Sequence, residues 1–171
     1  WVSPKDMKRE EIAEAEDHVS LEALEGSALR LIDPVAVLIV VRGMILAHSF
    51  PTATTTCQVT INQDMKALRC RTSLDPHFLR NFFWGLESHL VSLVDSAAHG
   101  TRKLETEALG RFEVCVPPMA EQLPIVEYIA DSTARLDKLR AATERTTSLL
   151  KERRAAHIVA AVTGKLDIRQ E

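Results

Sequence analysis

The chain has 171 residues, of which 46% are hydrophobic and 26% are charged, a composition typical of a folded protein with its own core. Its formal net charge of −3 excludes a protein that binds nucleic acid through an overall basic field. The acidic residues concentrate near the start, where residues 1–33 carry four Lys or Arg against nine Asp or Glu. The longest apolar run, residues 35–41, is too short to cross a bilayer, so we expect no membrane contact.

The three cysteines, Cys57, Cys70 and Cys115, are an odd number without a C-x-x-C spacing, and the histidines are scattered. This pattern predicts neither a metal site nor a disulfide framework. Reduced thiols and the lack of a recognisable signal peptide favour a cytoplasmic protein.

Short helices and strands are predicted in the first third of the chain. Ser20 can cap a short helix, and Gly26 is placed to end it. The run "VAVLIVV" predicts a buried strand, which Arg42-Gly43 interrupts and which resumes over residues 44–47. A glycine at this point indicates a bulge or a close approach of the backbone.

The middle of the chain mixes strand and helix signals. The β-branched segment "TATTTCQVTIN" predicts a strand over residues 52–62. Asp75 as cap and Pro76 at the first helical position begin an amphipathic helix that extends to about residue 94. The alternating segment "GRFEVCVP" predicts a final strand with its apolar residues turned inward. These elements show no regular β-α-β order, so the predicted fold class is α+β, a small mixed domain over residues 1–117.

Residues 118–171 have a different character, typical of one long helix. An unbroken seven-residue repeat is formed by Ile125, Ile129, Ser132, Leu136, Leu139, Thr143, Thr146 and Leu150. No Gly or Pro occurs between Ile125 and Thr163, which predicts a helix roughly 60 Å long that Gly164 ends. A lone helix of this length buries too little, so we expect it to pair with a second helix through the apolar members of the repeat.

Both halves of the chain carry motifs that resemble the specificity subunits of type I restriction-modification systems. In the helical half these are "PPMAEQLPIVEYI" and "LLKERRAAHIVAAVTGKLDIR", in the order and spacing of that family. The segments "WVSPKDM", "RGMIL", "INQDMKAL" and "HGTRKL" of the first half resemble a target-recognition domain more loosely.

The resemblance implies a DNA-reading module without chemistry of its own. In this family two recognition domains each read one half of a split DNA target, and two long helices pack antiparallel between them as a spacer. The helices dock modification subunits, which methylate adenine, and restriction subunits join to cut DNA. With one domain and one helix, the chain is expected to be a C-terminal half that lacks the start of its recognition domain. A short subunit that works as a homodimer through the helix is the alternative.

Basic and amide side chains suited to double-stranded DNA cluster in the first half of the chain. They are Arg42, Asn62, Gln63, Lys66, Arg69 and Arg71, joined from another loop by Thr101, Arg102 and Lys103. A solvated loop face would account for any one of them, and phosphate contacts should outnumber base contacts. The dipeptide Arg42-Gly43 fits either plain turn chemistry or a backbone pinch near DNA.

Other polar residues favour structural interpretations. No carboxylate or cysteine stands at a spacing from His99 that would indicate a catalytic pair, so a loop histidine is favoured over a catalytic group. Glu121-Gln122 fits a helix start better than a catalytic pair. The basic run at Lys151, Arg153 and Arg154 fits a solvated face or a partner contact equally well.

The sequence contains no adenine methyltransferase motif, glycine-rich cofactor loop, P-loop or nuclease motif. We therefore expect neither a cofactor nor catalysis, and an independent methyltransferase or nuclease is disfavoured. The remaining alternative to DNA recognition is a coiled-coil adaptor whose globular domain does not read bases.

Overall fold

The computed structural model describes residues 1–96 and 101–165. Contacts group the chain into two compact units, Trp1–Val126 and Glu127–Glu171. The division into residues 1–117 and 118–171 stays a prediction. The elements are a mixed sheet, several helices and a long C-terminal helix, which confirms the α+β class.

A four-stranded sheet forms the centre of the first unit. Its strands are β1 (Glu11–Ile12), β2 (Val37–Val40), β3 (Thr52–Thr55) and β4 (Met65–Leu68). They lie in the order β1-β3-β2-β4, with β2 antiparallel to both of its neighbours and β1 parallel to β3. All four residues of β2 are buried, which confirms the strand predicted from "VAVLIVV".

The prediction that this strand resumes after Arg42-Gly43 is wrong. Met44–Ala47 forms a 3₁₀ turn instead. Gly43 adopts a φ of +141°, a backbone conformation that residues other than glycine rarely adopt. This conformation ends the extended backbone. Crowding does not explain the glycine, since a Cβ at this position would have Ile45 Cγ2 as its nearest neighbour at 4.0 Å. The dihedral angle is therefore what requires glycine here.

The strand predicted over residues 52–62 is confirmed only for its first part, β3. Beyond a bend, Val59 and Ile61 make isolated bridges to Ile32 and Val2. Sequence analysis assigns no strand to β1 or β4. The first has only two residues, and the pairing of the second with β2 is a long-range contact that local pattern does not reveal.

The helices predicted before residue 95 form, with one break. In α1 (Leu21–Glu25), the Ser20 hydroxyl accepts the Ala23 N–H at 3.2 Å and Gly26 follows as the cap. The predicted amphipathic helix is divided into α2 (Pro76–Gly85) and α3 (Glu87–Ser92). The Glu87 carboxylate accepts the Phe50 N–H at 2.8 Å, so α3 is held by a contact outside its own sequence.

The final strand predicted from "GRFEVCVP" is wrong. An antiparallel pair of strands, β5 (Asp95–Ser96) and β6 (Arg102–Lys103), precedes α4 (Thr106–Gly110), and residues 111–118 form no ladder. Phe112 and Val114 pack against the core while partly exposed, whereas Val116 is exposed. Side-chain packing without a pairing strand therefore explains the alternation.

The core of the first unit covers both faces of β2, and α2 packs against β2 and β3. Leu38, Ile39, Leu46, Phe50 and Leu90 are fully buried in this core. Phe83 meets Phe50 edge-on with 6.1 Å between the ring centroids.

The long helix predicted after the two prolines is confirmed as α5 (Met119–Val162), 44 residues. Glu121 and Gln122 lie in its first turns, as predicted. Gly164 follows with a φ of +71°, and the Lys165 N–H donates to the Ala160 carbonyl at 2.8 Å, a glycine-type helix end. Leu136, Leu139 and Leu150 are each more than 60% exposed. Among the residues described, no helix is both long and apolar enough to span a bilayer.

Candidate nucleic-acid interface

Arg42 and Lys103 pair through their backbones at one end of the sheet. The Gly43 N–H donates to the Arg102 carbonyl at 3.0 Å, and the Leu104 N–H donates to the Val41 carbonyl at 2.9 Å. Two segments about 60 residues apart in sequence thus meet at the point where β2 ends. The pairing brings three predicted DNA contacts together: Arg42, Arg102 and Lys103.

The loop before β4 joins the same end of the sheet. The Asp64 carbonyl accepts the Val41 and Arg42 N–H groups at 2.8 and 3.1 Å, and its carboxylate accepts Arg42 Nε at 2.6 Å. Asn62 Oδ1 accepts the Asp64 N–H at 3.0 Å, a local turn that occupies its acceptor atom. Gln63 is exposed at the tip of this turn.

We name Arg42, Asn62, Gln63, Thr101, Arg102 and Lys103 the loop cluster. Within it Thr101 and Arg102 are partly exposed, and Lys103 is exposed with its ammonium 2.8 Å from the Glu105 carboxylate. The loop cluster thus has three basic side chains beside two acidic residues: Asp64 pairs with Arg42, and Glu105 pairs with Lys103. His99 lies outside the described residues.

The structure does not bring Arg69 and Arg71 to the loop cluster. In the β2–β4 register, Val40 pairs with Met65 and Val37 pairs with Leu68, so Arg69 lies beyond the opposite end of the pair. The length of β4 alone separates the two ends by about 10 Å. Arg69 forms an ion pair with Asp33 at 3.2 Å, and Arg71 is exposed. Lys66 lies within β4 and is partly exposed.

Arg80 shows that a basic residue of this domain can be structural. Its side chain is buried beside β3, with the guanidinium carbon 4.5 Å from the Trp84 ring centroid and Nη2 3.2 Å from Asn81 Oδ1. Burial lowers the pKa of Arg80 because it penalises the charged form, and the Glu10 carboxylate partly opposes this effect. Arg80 is therefore not accessible to a ligand.

Comparison with known proteins points to one system. No family model matches the chain. Over 129 residues it is 30% identical to the EcoR124I/EcoR124II specificity subunit, a type I restriction enzyme subunit of Escherichia coli. The chain is homologous to type I specificity subunits. The matched segment covers 75% of this chain and 32% of that relative.

The structural comparison agrees with this homology. The fold matches a chain from a solved structure on complex assembly and conformational transition of the type I R-M system, with a TM-score of 0.65 and 25% identity. The match covers 77% of this chain and 31% of the other. The chain therefore spans about a third of the length of each of these relatives.

Two acidic residues of the site were missed by sequence analysis, which searched for donors suited to DNA. Asp64 orients Arg42, and Glu105 orients Lys103. The Asn-x-Asp turn at residues 62–64 is a local signal for the first, whereas its pairing with Arg42 is long-range. The described residues of this chain contain no group of His, Cys, Asp or Glu that could hold a metal ion. The side chains of the loop cluster provide hydrogen-bonding groups and positive charge.

Proposed function

We propose that the chain recognises a double-stranded DNA sequence as a specificity module of a type I restriction-modification complex. The observation that carries the proposal is the backbone pairing of Arg42 with Lys103, which gathers basic side chains from separate loops in a homologue of a specificity subunit. Modification subunits would methylate adenine at the chosen site, restriction subunits would cut, and this chain would contribute recognition without catalysis.

The charge pattern of the loop cluster supports contact with DNA. Asp64 engages Arg42 through Nε alone, and the Arg42 side chain is 47% exposed, so terminal guanidinium donors are accessible. A guanidinium held at one edge by a carboxylate presents its remaining donors in a defined direction, as bidentate contact with guanine requires. Lys103, 46% exposed, suits a phosphate contact.

Arg69, Arg71 and Lys66 stay proposed DNA contacts of a second group. Arg69 lies beyond the end of β4 that is farther from the loop cluster. We therefore expect this group to contact phosphates farther along the duplex than those that the loop cluster contacts. Arg69 is ion-paired with Asp33, as Arg42 and Lys103 are with Asp64 and Glu105.

The exposed seam of α5 supports the second part of the proposal, pairing with another helix. Leu136 and Leu139 are both 65% exposed. Covering them removes apolar surface from water, which stabilises a helix whose apolar residues are otherwise left exposed. We propose an antiparallel partner helix, either from a second recognition half or from a second copy of this chain. This seam also favours the adaptor hypothesis, so the experiment must separate recognition from assembly.

The experiment uses the chain assembled with modification subunits and a library of randomised DNA duplexes. We expect the wild-type complex to select a defined sequence, with affinity that falls steeply as salt rises. Arg42→Ala should relax the preference at one base pair by roughly 1–3 kcal/mol, and Lys103→Ala should weaken all duplexes and reduce the salt slope by about one.

Arg111→Ala is the matched control, because Arg111 is an exposed arginine in an ion pair with Glu107, outside the loop cluster. It should leave the selected sequence unchanged. Assembly is followed separately by sedimentation. If the complex assembles but selects no sequence, the chain is an adaptor and the recognition proposal fails.

A further inference from the structure

Two large apolar side chains are exposed next to the loop cluster. Met44 is 65% exposed and Ile45 is 41% exposed, at the start of the 3₁₀ turn Met44–Ala47. We name these two residues the apolar tip. Leu46 of the same turn is fully buried in the core and anchors the turn.

The backbone holds the apolar tip in a fixed place. Gly43, with its φ of +141°, redirects the chain directly before Met44, and its N–H is bound to the Arg102 carbonyl at 3.0 Å. The Leu46 N–H donates to the Gly43 carbonyl at 3.3 Å, and the His48 N–H donates to the Ile45 carbonyl at 3.1 Å. Hydrogen bonds on both sides thus position the tip, and the turn Met44–Ala47 contacts β6.

The charged side chains beside the apolar tip are three basic and two acidic ones, a net positive charge. Arg42 precedes it, and the paired strand supplies Arg102 and Lys103. The acidic groups here, Asp64 and Glu105, each form an ion pair with one of these bases, at 2.6 and 2.8 Å. An apolar centre with a basic border is complementary to a duplex, where bases lie between two rows of phosphates.

We propose that Met44 and Ile45 enter a groove of the DNA and contact bases, while the loop cluster contacts the flanking phosphates and base edges. This assignment rests on the proposed function and adds a specificity determinant to it. Apolar side chains read DNA by contact with the thymine methyl group or by insertion between base steps. Charge complementarity favours DNA over an apolar protein surface as the occupant, since an apolar partner would have to bury the basic border as well.

The test compares the wild-type complex with Met44→Ala/Ile45→Ala, both assembled with modification subunits, by selection from a randomised duplex library. We expect the double variant to lose roughly tenfold or more of its discrimination at one or two adjacent base pairs. Its salt slope should stay unchanged, because no charge is removed. Met44→Gln, which keeps the side-chain length and adds polarity, should show the same loss at those positions.

Leu21→Ala is the control, because Leu21 is an apolar residue, 77% exposed, on α1. It should select the wild-type sequence. Two modified duplexes identify the contact: replacing thymine by uracil weakens wild-type binding if the tip touches a methyl group, and 2-aminopurine fluorescence rises if it separates a base step.

The outcomes separate this inference from the proposed function. A wild-type complex that selects no sequence overturns both. A wild-type complex that selects a sequence, together with tip variants that select the same one equally well, overturns the tip alone. Tip variants that no longer assemble with modification subunits would make the tip a protein contact and also overturn it.

Discussion

The side-chain oxygen of Gln122 accepts the backbone N–H of Asp75 at 2.8 Å, which joins the first turns of α5 to the residue that caps α2. The same amide donates through Nε2 to the carbonyls of Ser73 and Pro117, at 2.8 and 2.7 Å. The Gln122 side chain is fully buried, and its three partner groups are partly buried. One side chain therefore joins the Ser73–Asp75 segment to the start of α5.

Gln122→Ala should lower the free energy of unfolding by about 1–3 kcal/mol, because it leaves one donor and two acceptors, all partly buried, without their partner. Urea denaturation followed by circular dichroism measures the change. Glu121→Gln, at the exposed neighbouring position, is the control and should cost less than about 1 kcal/mol. Equal stability of the two variants would contradict the structural role of Gln122.

Asp6 should make the stability of the first unit depend on pH. Burial raises the pKa of Asp6, but hydrogen bonds from the Glu16 and Ser3 N–H groups and the Ser3 hydroxyl outweigh this, so the pKa lies below its ordinary value of 3.8. A carboxylate with a lowered folded-state pKa stabilises the fold above the unfolded pKa. That contribution is lost as the pH falls through the folded pKa.

Asp6→Asn should therefore reduce the free energy of unfolding by about 1–2 kcal/mol at pH 7. The difference from wild type should stay constant down to about pH 5 and narrow below pH 3.8, as the wild-type carboxylate becomes protonated. Urea midpoints of the two proteins across this range provide the measurement. Glu14→Gln, at an exposed position, is the control for the removal of one carboxylate.

Gly43→Ala should destabilise the first unit by about 1–3 kcal/mol, because the φ of +141° strains any residue with a Cβ. Crowding adds little, since the nearest atom to the new Cβ is Ile45 Cγ2 at 4.0 Å. Gly85→Ala is the matched control, at a helical position with open space around it, and should be neutral or stabilising. A shift of the melting temperature in the same direction for both variants would disprove the dihedral explanation.

Leu136→Glu together with Leu139→Glu should abolish self-association or docking, because it places two charges on the proposed apolar seam. Analytical ultracentrifugation compares the variant with wild type. Ala134→Glu plus Ala141→Glu adds the same charge on the opposite face of the helix and should leave association intact. If both variants sediment like wild type, the seven-residue repeat does not mark a pairing surface.

Sequence patterns predicted the elements that depend on local signals. The capping of α1 by Ser20, the start of α2 at Asp75 and Pro76, and the extent of α5 all follow from residues within or beside each helix. The wrong predictions, at Met44–Ala47 and at residues 111–118, concern apolar segments that periodicity alone cannot assign. Whether such a segment becomes a strand depends on a pairing partner that is distant in sequence.

The candidate site shows the same limit. Residue types suited to DNA were visible in the sequence, but only the tertiary structure divides them, with Arg42 and Lys103 paired at one end of the sheet and Arg69 beyond the other. Nor did composition reveal Asp64 as the partner of Arg42 or Gln122 as a buried link.

The sequence alone determined the long helix, its seven-residue repeat, the helix caps and the resemblance to type I specificity subunits, because each of these is written in neighbouring residues. Only the tertiary structure decided which basic side chains lie together and that Met44 and Ile45 are exposed beside them. The physical reason is that strand pairing and burial join segments far apart along the chain, and their energies depend on contacts that no local pattern contains.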